Sequence, residues 1–156
     1  MNGAMQPHSE NEHYERNRSM RTDDYPASQV LDFFKAKDAA YISPRGVETL
    51  AKQSADDFVL IDVRIPAPHL TWRIPGAIAI PTNEIAERLA EIPKDKLIIL
   101  YCWDTWCSLA TTAALILLEN GYRVKELYGG VAAWQGVGLP QVPVTVSTAA
   151  SPVCKC

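Results

Sequence analysis

The chain has 156 residues, 47% of them hydrophobic and 21% charged, with a formal net charge of −3. That is enough chain for one ordinary domain with its own core, and the composition excludes a chain disordered throughout. Mild acidity offers nothing to a phosphate backbone, and no apolar run reaches the roughly 20 residues that cross a bilayer, so neither a nucleic-acid nor a membrane partner is expected.

Residues 1–26 are polar and poor in aliphatic side chains and read as a disordered tail, with His8 and His13 as solvated tail histidines. They lack the apolar stretch of a secretory signal, so a cytoplasmic location is expected, where thiols stay reduced and cysteines are more often chemical than structural. From Ala27 to residue 40 a leader helix is predicted, with Val30, Leu31, Phe33 and Phe34 as its apolar side. Tyr41-Ile42 reads as an edge strand. Ser43-Pro44 opens a helix, Ser as N-cap and Pro at the first helical position, that fades near Gln53.

Phe58 to Val63 is a buried-strand pattern with Asp62 and Arg64 at its carboxyl end. A carboxylate and a guanidinium two apart read as a structural ion pair near the site, with a substrate role for Arg64 as the alternative. Ile65 to Arg73 reads as a loop, Ile74-Pro75-Gly76-Ala77 as a turn, and Ile78 to Ile80 as a short strand stopped by Pro81. Thr82 or Asn83 is expected to cap a helix through Glu91 that turns Ile85 and Leu89 inward.

Leu97 to Gly121 organises the rest. Leu97-Ile98-Ile99-Leu100-Tyr101 is a core strand pattern ending in Cys102, and Leu109, Ala113, Ile116 and Leu117 mark a helix that Asn120-Gly121 closes. A thiol therefore stands where a parallel strand ends and a helix begins, the place where open α/β sheets bind ligands. Free amides and the helix dipole there are expected to lower its pKa. Tyr122 to Tyr128 is a last strand, Gly129-Gly130 a sharp turn, and Val131 to Gln135 a short helix bearing Trp134. The domain pattern ends at Gly138-Leu139-Pro140, and 141–156 reads as a flexible tail. Strands alternating with helices imply a parallel sheet wrapped on both faces. The four cysteines form two pairs, Cys102 with Cys107 and Cys154 with Cys156. Neither pair is C-x-x-C and no histidine stands near either, so no metal and no cofactor is expected; Cys154 and Cys156 read as incidental tail thiols, with a sulfur relay as the alternative.

Leu60-Ile61-Asp62-Val63-Arg64, Ile74-Pro75-Gly76-Ala77-Ile78-Ala79-Ile80-Pro81, Leu100-Tyr101-Cys102, Gly121-Tyr122-Arg123-Val124, Gly129-Gly130-Val131-Ala132-Ala133-Trp134 and Gly138-Leu139-Pro140 follow one another in an order that resembles the rhodanese family of single-domain sulfurtransferases. The resemblance runs over 41–140. It implies a doubly wound α/β domain on a five-stranded parallel sheet, with Cys102 as the nucleophile that carries sulfur as a persulfide. The chemistry implied is transfer from a small donor, thiosulfate or a low-molecular-weight persulfide, to cyanide or a thiol, a protein thiol among the candidates. The active loop of the family commonly reads C-x-x-G-x-R-S; here Cys102-Trp103-Asp104-Thr105-Trp106-Cys107-Ser108 has Thr105 for the glycine and Cys107 for the cation, and Trp72-Arg73 replaces a G-H pair. A subset with a second loop cysteine and a helical leader is the nearest likeness. Asp104 adds negative charge, and Arg73 is a candidate substrate-side cation in place of the missing one.

The backbone amides of 103–108 are expected to face the persulfide anion. Trp103 and Trp106 either wall the pocket or pack the loop. Cys107 has three readings: a packing residue, a resolving thiol for Cys102, or a second ligand for a metal or an arsenic-like centre. A related Cys-based phosphatase would need an arginine six residues after the cysteine to grip phosphoryl oxygens, and Ser108 stands there. A non-catalytic redox-sensing or partner-binding module using the Cys102/Cys107 pair is the alternative to transfer.

Overall fold

The computed structural model describes residues 25–144. The tail expected at 1–26 therefore lies almost wholly outside the described residues, as do Cys154 and Cys156. The chain divides between Asp38 and Ala39 into two units, taken separately. α1 (Ala27–Ala40), which lies in the first unit up to Asp38, has no buried residue; Leu31, Phe33 and Phe34 are exposed, and the two phenylalanine rings meet edge to face at 5.5 Å.

The second unit is built on a five-stranded parallel sheet. Its strands are β1 (Tyr41–Ile42), β2 (Phe58–Asp62), β4 (Ile78–Ala79), β5 (Leu97–Tyr101) and β6 (Arg123–Leu127), in the order β1-β6-β5-β2-β4. β5 lies at the centre because its five residues are apolar on both faces, as a strand covered on both sides must be. Ile98, Leu100 and Cys102 face one core, with Ile61, Val63 and the Ala110, Ala113 and Leu117 stripe of α3 (Leu109–Glu119). Ile99 and Tyr101 face the other, with Leu60, Val47 of α2 (Pro44–Gln53), and Val131 and Trp134 of α4 (Gly130–Gly136). The sheet is thus wrapped on both faces, and the alternation along β5 turns Cys102 toward α3.

Local signals set several boundaries. The Ser43 side chain accepts from the Gly46 amide at 3.0 Å, and Pro44 starts α2 where no amide is needed. α3 ends in a Schellman arrangement: Tyr122 N donates to Leu117 O and Gly121 N to Leu118 O, with Gly121 at φ +79°.

Two segments differ from expectation. The helix predicted through Glu91 is a pair of 3-10 turns, Thr82–Glu84 and Leu89–Glu91. The Thr82 hydroxyl does not cap; it lies 3.1 Å from Val63 O and 3.0 Å from Leu109 O, tying the segment to the end of β2 and the start of α3. Ile85 is still fully buried and Leu89 packs on the same core, so the four-residue spacing marks burial here without a helix. The second correction concerns the loop and the tail. Trp72–Arg73 forms β3, paired antiparallel with β7 (Val142–Pro143), and Val144 N donates to Thr71 O at 2.9 Å. Gln141 to Val144 therefore belongs to the domain; 145–156 lies outside the described residues. Among the described residues no helix is long and apolar enough to cross a membrane.

Candidate active site

The carboxyl ends of β2 and β5 lie side by side, with Asp62 opposite Tyr101 in register. At the β2 end, Arg64 Nε and Nη2 each donate to Asp62 at 2.8 Å, Nη2 also to Trp72 O at 2.7 Å, and both side chains are buried. This is the structural pair the spacing predicts. Arg73 joins it, its Nε donating to Asp62 Oδ2 at 2.9 Å. The substrate-side cation expected at Arg73 is thus committed to a carboxylate, and two guanidiniums on one carboxylate leave the cluster with a positive surplus. Arg64 Nη1 is buried without an oxygen partner. Its guanidinium instead faces aromatic rings, with centroids of Trp103, Tyr101 and Trp72 at 4.6, 5.6 and 5.8 Å, whose π density takes up cationic N–H groups. Trp103 also stacks on His69 at 4.6 Å, which answers one question about it: it packs the loop onto a charged support.

At the β5 end, Cys102 is 1% exposed. Its Sγ lies 3.2 Å from Cys107 O, to which the thiol donates, and 3.8 Å from Asp104 O. Burial pushes the thiol up to about 12, reinforced by the neighbouring Cys107 thiol within hydrogen-bonding reach; the Ala110 and Asp104 amides pull the other way and lose. This corrects the expected lowered pKa. A strand end covered by its own loop loses water that two amides do not replace, which favours the neutral thiol.

The amides expected to face the sulfur are also partly diverted. Asp104 Oδ1 accepts from Trp106 N at 2.8 Å and from Cys107 N at 3.1 Å, so the loop curls around its own carboxylate. Trp106 projects from that curl at 92% exposure and walls no buried pocket. Thr105 and Ser108 are exposed, and Ser108 makes no side-chain cap to α3. Cys107 is half-buried against the core that holds Cys102, and both cysteines are free. Among the described residues no three His, Cys, Asp or Glu side chains gather as a metal site.

The residues that hold the loop from behind read in the sequence only as a turn and a short helix. Val131 N and Ala132 N, at the start of α4, donate to Cys102 O and Trp103 O, each at 3.0 Å. Gly130, at φ +55°, lets them approach: a Cβ there would meet Cys102 O at 2.6 Å and Trp103 C at 2.8 Å. The Gly129-Gly130 dipeptide is the sequence signal, and it reads as a turn unless the partner backbone is known.

A rhodanese-like domain family model matches residues 47–136, the span that contains both strand ends and both helices around the thiol. The chain belongs to the rhodanese-like domain family. Among rhodanese-like relatives, a sulfurtransferase of Allochromatium vinosum is 39% identical over 98 residues, covering 61% of this chain and 90% of the relative. An HTH-type transcriptional regulator of Mycobacterium tuberculosis is 40% identical over 93 residues, 60% of this chain, which spans only 41% of the regulator's length. A crystal structure of a Lactobacillus plantarum protein superposes with a TM-score of 0.71 at 28% identity, covering 76% of this chain and all of that one. The rhodanese-like frame explains why the thiol is here: the sheet delivers β5 to the N-terminus of α3, and Cys102 is the residue at the junction.

Proposed function

We propose that this rhodanese-like domain transfers sulfane sulfur through a persulfide on Cys102. The Cys102 thiolate attacks the outer sulfur of thiosulfate or of a low-molecular-weight persulfide; the bond from that sulfur to the rest of the donor breaks, and sulfite or a thiolate departs. Cyanide or a thiol, a small molecule or a protein side chain in a reducing cytoplasm, then removes the outer sulfur. The observation that carries this is the placement of Cys102 at the end of β5, at the junction with α3, inside the curl of the 103–108 loop. Sulfur-transfer names among the relatives support the same class of reaction.

The test is an intact mass after incubation with thiosulfate or glutathione persulfide. A gain of about 32 Da, removed by cyanide and absent in Cys102→Ala, is the expected result; no gain with any donor rejects the reading. A second reading, a redox-sensing module, is favoured by the regulator relative and by two free thiols in one loop. It predicts one stoichiometric modification with no turnover when donor and acceptor are both in excess.

A further inference from the structure

Cys107 is the second free thiol of the active loop. It replaces the expected cation, and its backbone is pinned by two contacts to Asp104, N to Oδ1 at 3.1 Å and N to O at 3.4 Å. That curl brings the Cys107 carbonyl to 3.2 Å from the Cys102 sulfur and its thiol within hydrogen-bonding reach of the same atom. Cys102 is closed off from solvent, whereas Cys107 is half-buried on the same core. The inner sulfur of a Cys102 persulfide is therefore buried from an external thiol, while the Cys107 thiol lies within hydrogen-bonding reach of it.

We propose that Cys107 resolves the Cys102 persulfide, so that the domain reduces sulfane sulfur to hydrosulfide. The proposal rests on the persulfide chemistry above and adds a second activity to it. The Cys107 thiol loses its proton to solvent, and its sulfur attacks Sγ of Cys102. A Cys102–Cys107 disulfide forms, the bond from Sγ to the outer sulfur breaks, and the outer sulfur leaves with the bonding pair as HS⁻. The sulfane sulfur gains two electrons; the two thiols supply them and become the disulfide. Hydrosulfide is a weaker base than an alkyl thiolate and so leaves readily. The oxidised pair needs a dithiol reductant to begin again, and a Cys107 partly open to solvent is the side from which one is reached.

The geometry also sets the two fates of the sulfur apart. Attack on the outer sulfur moves it to Cys107; attack on the inner sulfur releases it. Because the loop holds the Cys107 thiol within hydrogen-bonding reach of Sγ, the inner sulfur is the one it meets first.

The experiment uses the full chain with Cys154→Ser and Cys156→Ser, which removes tail thiols as acceptors, and compares it anaerobically with the same chain carrying Cys107→Ser. Each is given a slight excess of glutathione persulfide, then followed by intact mass and by bimane trapping of sulfide. The expected course with Cys107 present is a gain of about 32 Da that decays to a loss of about 2 Da, with roughly one equivalent of sulfide per chain and no added acceptor. Cys107→Ser is expected to keep the added sulfur and to release sulfide at least about tenfold more slowly. Equal persistence of the added sulfur in both proteins overturns the proposal and leaves sulfur transfer standing. Peptide mapping that finds the sulfur on Cys107 overturns it too. Failure of both proteins to gain sulfur removes the persulfide, and this proposal with it. The mass loss and the sulfide yield of the parent chain decide the matter even where Cys107→Ser folds poorly.

Discussion

The two strand ends at the carboxyl edge of the sheet solve opposite problems. At the end of β2 the buried charges are answered at once, by a bidentate carboxylate, a second arginine, a carbonyl and three aromatic faces. At the end of β5 the buried group is a thiol kept neutral, facing carbonyls where an anion would want amides. The first end is static because ionised groups out of water cannot be left alone. The second is held one proton short of reactivity. Trp103 joins them, resting on Arg64 and carrying the loop that covers Cys102.

The largest expected effect breaks the static end. Asp62→Ala strands two arginines and should cost about 3–5 kcal/mol in urea unfolding; a loss under about 1 kcal/mol would mean that the rings alone support Arg64. Next comes the reactive end. Because burial holds the Cys102 thiol up to about 12, the thiolate fraction grows across the neutral and mildly alkaline range. Sulfur uptake from thiosulfate, measured as a single-turnover rate, should rise about tenfold per pH unit from about 7 to 9. A plateau already reached near pH 7 would show that the loop opens and ionises the thiol before donor arrives. The smallest effect tests what lies behind the loop. Gly130→Ala drives a Cβ into Cys102 O at positive φ and should cost about 1–3 kcal/mol, whereas Gly136→Ala, in the same helix with open space around it, should fall within about 0.5 kcal/mol. Equal costs would remove the backbone contact from the account of how Cys102 is placed.

Much of this frame is legible in the residues. The apolar runs of β2 and β5 are read from burial on both faces, and Ser43-Pro44 and Asn120-Gly121 mark helix ends because capping is a local matter. The strand-to-helix junction placed Cys102 correctly for the same reason. Ile85 and Leu89 misled because inward spacing does not distinguish an α-helix from two turns tied down by Thr82. β3 and β7 were invisible because their partners are remote in sequence, and Pro143 argues against a strand except at an edge. The thiol's state was missed because pKa depends on how tightly the loop closes. Asp104, read as an added charge, spends its oxygen on the loop's own amides, a tertiary choice that residue type does not disclose.

The pairing of β3 with β7 changes how the end of the domain is to be handled. Val142 and Pro143 brace Trp72 and Arg73, whose carbonyl and guanidinium in turn hold Arg64 and Asp62. A cut made after Gln141 to ask about Cys154 and Cys156 would saw through a rib of the domain, and lost turnover would then be credited to absent sulfur carriers. A cut that leaves this rib whole lies beyond Val144.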